Sequence, residues 1–440
     1  DRDAPEWNTD ALGPTKRGLA TELVHKLMAK YGQGGFLHFG QGKWYPGEQL
    51  PRWALSICWR QDGQPCWGDP SLFADERDPH RYTADDAKAF IHTLTRRLGL
   101  DSQYVLPGYE DTWYYLWRER RLPVNVDPFD SRLDDELERA RLRRVFQQGL
   151  DATVGYLLPI KREWQVGTAG PAWVTGPWFL RDERMYLMPG DSPMGYRLPL
   201  DSLPWVSQAD YPYLVERDPF APDVQGGLPS AGELHARYAQ GRGLPSDHGI
   251  DRHGVSYLAP GQPGAARHAL QDGRGTGRSA LGPGQAEPQG LRSPGKHESA
   301  PWVTRTAVCV EARDPRRANG PAAELGANGP KAEAQGSKTG VLYVFMPPLA
   351  HLEDYLDLLA AVEATAEELQ VRIVLEGYPP PRDARLKLLQ VTPDPGVIEV
   401  NIHPAHHWRE LVQHTEFLYQ AAFETRLSAE KFMLDGRHTG

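Results

Sequence analysis

The chain has 440 residues, with 58 acidic against 49 basic side chains for a net charge of −9, which argues against a general nucleic-acid or anionic-membrane binder, since either needs a basic face. Hydrophobic residues at 40% and charged residues at 24% exclude wholesale disorder, while 44 glycines and 39 prolines assign much of the chain to loops. No apolar run reaches the ~18 residues of a membrane helix, and Cys58, Cys66 and Cys309, too few and too scattered for a zinc cluster or disulfide frame, fit a reducing compartment, so the expected location is cytoplasmic.

Residues 1–221 form a Trp-rich part of mixed α and β character, with eleven of the thirteen tryptophans between Trp7 and Trp205. Leu19, Leu23, Leu27 and Tyr31 recur at helical spacing, and Thr83 opens a second amphipathic helix with Ala87, Phe90, Ile91, Leu94 and Leu98 on one face. GFLHFG (35–40) and WALSICWR (53–60) read as strands, and QDGQPCW (61–67) as a hairpin turning at Asp-Gly. A helix is expected over 134–150 and short strands at 153–160, 184–188 and 196–200.

From 222 to 300 the composition turns to Gly, Pro, Gln, Arg, Ser and His without periodicity, and the expectation is a disordered low-complexity insertion. In the third part, 301–440, strands at 304–313 and 341–348 flank a polar stretch across which they are expected to pair. A helix with Leu352, Tyr355, Leu356, Leu359, Val362, Ala366 and Leu369 on one face follows, then strands at 371–378, 386–391 and 396–403 and a closing helix from Trp408. The fold class is α+β: a mostly antiparallel sheet with helices packed on one face. The chain starts at Asp1 and stops in the polar turn DGRHTG, so both ends read as cuts in a longer protein.

Three constellations carry chemistry. Glu311, Glu376, Asp394, Glu399 and Asn401 lie on or beside apolar strands; in GVIEVN the alternation sends Glu399 and Asn401 to one face and Ile398, Val400 and Ile402 to the other. Such oxygens suit a hard cation held by rigid strands, or else form a solvated or arginine-paired face. KFMLDGRHTG (431–440) gathers Lys431, Arg437 and His438 beside glycines, a pattern that suits phosphate or an exposed turn. Lys43, Glu48 and Arg52 among the indoles of Trp44 and Trp53 read as an anion clamp or, preferably, as a core edge with snorkelling charges. HPAHH (403–407) with Glu410 looks like a zinc cluster, but His403, His406 and Glu410 straddle a strand end and a helix start around Pro404, which argues against metal.

Taken together, GQGKWYPGEQLPRWAL, PGYEDTWYYLWRERRLPVNVDP, MYLMPGDSPMGYRLPLDSLPW, HLEDYLDLLAAVEATAEEL, LEGYPPPRDARL, VTPDPGVIEVNIHP and EKFMLDGRHTG resemble the bacterial amidoligase domain that lies C-terminal to a transglutaminase-like domain in large multidomain proteins. The resemblance spans both outer parts and skips 222–300. It implies a glutamine synthetase-like catalytic core, incomplete at the C-terminus, and an ATP-dependent carboxylate–amine ligase working through an acyl phosphate on a peptide or amino-acid-like substrate. It also implies ATP and Mg²⁺ as cofactors and a transglutaminase-like domain upstream.

Residue by residue, the resemblance puts Glu311, Asp394 and Glu399 at metal, with Arg313 where a second glutamate is the pattern. Glu376 and Asn401 bind metal or position substrate, Lys431 and Arg437 take phosphate, and His438 binds phosphate or shuttles a proton. The Gly-rich turn and the next strand would continue past Gly440, so the 440 residues alone are expected to be inactive. Two other classes remain open: a non-catalytic peptide- or glycan-binding module, and a hydrolase using two carboxylates. Nucleotide dependence separates the ligase from both.

Overall fold

Residues 4–43, 45–46, 52–111, 151–164, 170–180, 184–189, 196–214, 227–238, 292–314, 340–429 and 437 are described by a computed structural model. The helical periods become α1 (Pro14–Tyr31), α2 (Ala84–Arg97), α3 (Ala231–Tyr238), α4 (Leu352–Leu369) and α5 (Trp408–Glu424). α2 starts where expected because the Asp86 carboxylate turns back to accept the Thr83 N–H at 2.7 Å, satisfying a donor the first turn leaves open. Its apolar stripe is fully used: Phe90, Ile91 and Leu94 are all 0% exposed.

The strands are β1 (Phe36–Gln41), β2 (Trp53–Arg60), β3 (Leu106–Glu110), β4 (Thr153–Pro159), β5 (Lys161–Trp164), β6 (Pro171–Val174), β7 (Met185–Pro189), β8 (Tyr196–Arg197), β9 (Ala307–Arg313), β10 (Val341–Met346), β11 (Ile373–Gly377), β12 (Leu386–Asp394) and β13 (Val397–Asn401). β5 and β6 pair separately; the others form an 11-stranded sheet in the order β13-β12-β2-β1-β11-β10-β9-β4-β3-β7-β8. Parallel pairing occurs between β1 and β11, β10 and β11, and β3 and β7, the rest being antiparallel, so the α+β class with a mostly antiparallel sheet holds. β9 and β10 pair antiparallel across the polar stretch as the sequence implies, with Val341 opposite Arg313. The N-terminal and C-terminal parts interleave in one sheet, since β1 lies between β2 and β11.

Four expectations change. Helices cover both faces rather than one: α2, α3 and α4 pack on the face carrying Phe36, Val310, Val344 and Leu375, while α1 and α5 pack on the face carrying Leu37, Leu55, Tyr343 and Val374. A third apolar cluster, with Leu157, Trp178, Leu187 and Val303, continues this second face at the β4–β3–β7 end. The hairpin expected at 61–67 is a turn only, because Pro65 has no N–H to give a ladder and the Cys66 N–H goes to the Gly34 carbonyl at 2.6 Å. The strand at 196–200 shrinks to two residues.

The stretch 222–300 is not free of core. α3 buries Leu234 and Tyr238 against α4, and the Tyr238 hydroxyl donates to Asp357 at 2.7 Å, as does the Trp173 indole N–H. Ala300 is also buried. The helix expected over 134–150 lies outside the described residues. No helix among the described residues is long and apolar enough to cross a membrane.

Candidate functional site

The second face of the sheet is apolar at both ends and charged in the middle. Alternation along β9 sends Cys309, Glu311 and Arg313 to this face, β10 sends Tyr343 and Phe345, and β11 sends Val374 and Glu376. Register brings them together: Tyr343 lies opposite Glu311, Phe345 beside Glu376, and Phe39 of β1 on the other flank of Glu376. Two glycines make room. A Cβ on Gly155 of β4 would stand 3.2 Å from the Glu311 Cβ, and one on Gly377, which turns at φ +92° directly after Glu376, would stand 2.7 Å from the Met346 carbonyl oxygen.

Arg313 joins the two glutamates. Its Nη1 donates to Glu311 Oε1 at 2.9 Å and to Glu376 Oε1 at 2.7 Å, its Nη2 donates to Glu376 Oε2, and its guanidinium stacks 3.6 Å from the Tyr343 ring centre. The Tyr343 hydroxyl donates to Glu76 Oε1 at 2.7 Å, and Glu76 Oε2 accepts from Arg17 Nη2 at 2.8 Å. Arg17 lies over the rings of Phe39 and Trp53.

Glu311 and Glu376 are 2% and 1% exposed. Burial lifts the Glu376 carboxyl to about 7 against the pull of Arg313. Burial also opposes the charge on Arg313, but Glu376 and Glu311 hold its pKa well above the ordinary value. For Glu76, burial pushes upward and Arg17 with the Tyr343 hydroxyl outweighs it, leaving the pKa below normal. The group is a buried guanidinium matched to two carboxylates, one of which is raised toward neutrality by burial. Cys309, beside it, is driven far up by burial and is no nucleophile.

The other expected site residues lie elsewhere. Glu399 and Asn401 are exposed on β13, at the far edge of the sheet, with β12, β2 and β1 between them and Glu376. At ~4.8 Å per strand that is roughly 19 Å. They also point to the opposite face, because Val400 pairs with Val391 and packs into the α1–α5 core. Thr392 Oγ1 donates weakly to Glu399 at 3.4 Å.

Asp394 accepts from Arg52 through Oδ1 and from Lys16 Nζ through its carbonyl at 2.9 Å, a tie to the N-terminal helix. Arg52, 8% exposed and stacked on Tyr45, belongs to the core edge. Lys43 is exposed and Glu48 is outside the described residues. Lys431 and His438 lie outside them too, and Arg437 is exposed. A pocket of about 490 Å³ opens beside β12 and β13, lined by Lys387, Gln390, Asn401, His403 and His406 among others.

The family model described as "Putative amidoligase enzyme" matches residues 1–440. The chain belongs to that family. No curated protein and no solved structure matches it. Amidoligase chemistry needs groups that neutralise phosphate and carboxylate charge and a group that takes a proton from an amine. A magnesium ion prefers open oxygen donors in octahedral array. Both Glu376 oxygens are held by Arg313, so the central face is matched by a guanidinium and does not fit a resident magnesium ion.

Sequence reasoning found Glu311, Arg313 and Glu376 but not Glu76, Arg17 or Tyr343. Glu76 stands in the loop ADERDPHR, which reads as solvated, and Arg17 near the start of α1. Tyr343 gave one usable signal: a hydroxyl in the apolar strand VLYVFM needs a buried partner.

Proposed function

We propose that the chain is an ATP-dependent carboxylate–amine ligase whose reaction runs on the central face around Glu311, Arg313 and Glu376. The supporting observation is a buried carboxylate raised to about 7 and bonded to an arginine in the middle of an otherwise apolar sheet face. In this reading an oxygen of the acid attacks the γ-phosphorus of ATP and ADP leaves; the amine nitrogen then attacks the acyl carbon of the acyl phosphate and inorganic phosphate leaves. Magnesium enters as the counter-ion of the nucleotide, where it neutralises phosphate charge.

Arg313, stacked on Tyr343 and fixed by two glutamates, orients the acid or the transferring phosphoryl group through its planar fork. Glu376, raised toward neutrality by burial, takes the proton that the attacking amine must lose. The substrate class is a peptide or amino-acid-like acid, and a transglutaminase-like domain upstream is the proposed partner. The C-terminal groups Lys431, Arg437 and His438 remain proposed contributors to nucleotide handling, whereas Glu399 and Asn401, on the opposite face of the sheet, take no part in it.

The test uses hydroxylamine as the amine, because it converts an acyl phosphate to a stable hydroxamate. With Mg-ATP and a panel of amino-acid and peptide acids, the protein is expected to release phosphate and hydroxamate in equal amounts, and Glu376→Gln to lower the rate by about 10²–10⁴. Neither nucleotide binding nor hydroxamate with any acid would sink the ligase reading and favour a recognition module.

A further inference from the structure

The corner where β13 meets α5 gathers histidines that the central face does not use. α5 begins at Trp408, with the His407 ring Nδ1 accepting the Glu410 N–H at 3.1 Å as its cap. Glu410 and His414, one turn apart, share a face of the helix. His403 arrives from the segment after β13, and its ring meets that of His414 on this face. The His403 and His414 rings stand 5.1 Å apart, and His414 Nε2 is 3.7 Å from Glu410 Oε1.

One ligand atom from each of His403, Glu410 and His414 lies within 4.8 Å of the others. Two donors on a tetrahedral zinc at about 2.0–2.1 Å stand roughly 3.4 Å apart, close to the 3.7 Å between His414 Nε2 and Glu410 Oε1. We propose that His403, Glu410 and His414 bind a zinc-class divalent ion.

A second observation points to a ligand. His414 is 7% exposed, and its Nδ1, the His403 Nδ1 and the Tyr31 hydroxyl are all buried without a hydrogen-bond partner. The Tyr31 ring meets both imidazoles edge-on, at 5.6 Å from His403 and 5.2 Å from His414. Buried polar atoms are nearly always matched, and here three unmatched ones belong to rings in mutual contact.

Glu410 is already oriented: the His406 N–H holds its Oε2 at 2.6 Å, which leaves Oε1 beside His414. Two imidazoles and a carboxylate select zinc, cobalt or nickel over magnesium, because nitrogen donors suit the softer ions. The three-ligand set leaves a position for water, with the pocket lined by His403, His406 and Asn401 alongside. This site is separate from the central face in both place and metal preference.

The experiment titrates the metal-free protein with Zn²⁺ by calorimetry and with Co²⁺ by visible absorbance. One ion per chain is expected, with a Co²⁺ ligand-field spectrum that Zn²⁺ abolishes. His403→Gln and Glu410→Gln are each expected to weaken Zn²⁺ binding at least about tenfold, whereas His25→Gln leaves it unchanged. Glu410 is partly exposed, so its isosteric variant tests binding in a folded protein even if a histidine variant is unstable. Absence of saturable Zn²⁺ binding, as for a corner filled by water alone, or unchanged affinity in Glu410→Gln, overturns the proposal.

Discussion

The central face and the β12–β13 corner carry the same sequence signature, carboxylates placed on or beside apolar strands, yet the sheet treats them in opposite ways. Glu311 and Glu376 sit on β9 and β11, flanked by strands on both sides, almost fully buried and joined by Arg313. Glu399 sits on the edge strand β13 and faces water, with a weak contact to Thr392. A carboxylate in the middle of a sheet has to be matched by a cation or share a proton; at the edge, water satisfies it. The same pattern therefore yields a buried, arginine-joined cluster in one place and a solvent-facing carboxylate in the other.

The sharpest way to break this comparison is Arg313→Met. It leaves two buried carboxylates unmatched, and the expected loss of stability by urea denaturation at pH 8 is about 3–5 kcal/mol. At pH 5 the loss should be smaller, since a protonated Glu376 no longer needs the cation. An equal loss at both pH values, or none, would mean that the cluster is more open to water than its burial indicates.

Next in size is the pH dependence of Glu376 itself. Its folded pKa of about 7 lies above the ordinary glutamate value of 4.5, so between those values the folded state holds more proton than the unfolded state. Stability owed to this group is therefore present at acid pH and declines as pH rises from about 4.5 to 7. Glu376→Gln should flatten that decline in denaturation curves taken across the window. A slope that is the same in the variant assigns the titration to another group.

The smallest effect is expected at the edge: Glu399→Gln should change stability by less than about 0.5 kcal/mol. Measured beside Arg313→Met, it sets the scale of the contrast. A loss comparable to that of the central variant would show that the β13 face is buried by a partner in the assembled protein.

Much of the fold was legible because local periodicity is a local property. The stripe of Phe90, Ile91 and Leu94 specifies α2, and the alternation of Ile398, Glu399, Val400 and Asn401 fixes which two side chains of β13 share a face. The sequence also identified Glu311, Arg313 and Glu376 as chemistry-bearing residues on strands. What it could not convey is neighbourhood. Glu376 and Glu399 are 23 positions apart, yet they end up on opposite faces with three strands between them.

The metal-like corner shows the same limit. HPAHH drew attention to His406, but the helix turn from Glu410 makes His414 the third member and leaves His406 to donate its N–H to Glu410. The low-complexity look of 222–300 hid α3, whose hold comes from Asp357 on a distant helix rather than from its own eight residues.

The sequence by itself determined the α+β class, the span of most helices and strands, and the residue types available for charge and proton transfer, because backbone periodicity and side-chain chemistry are written residue by residue. Only the tertiary structure decided that β1 lies between β2 and β11, that Glu76 and Arg17 complete the central cluster, and that Glu399 faces away from it. Strand order is set by non-local hydrogen bonding and by packing on both faces of the sheet, and the dielectric around each carboxylate follows from that order.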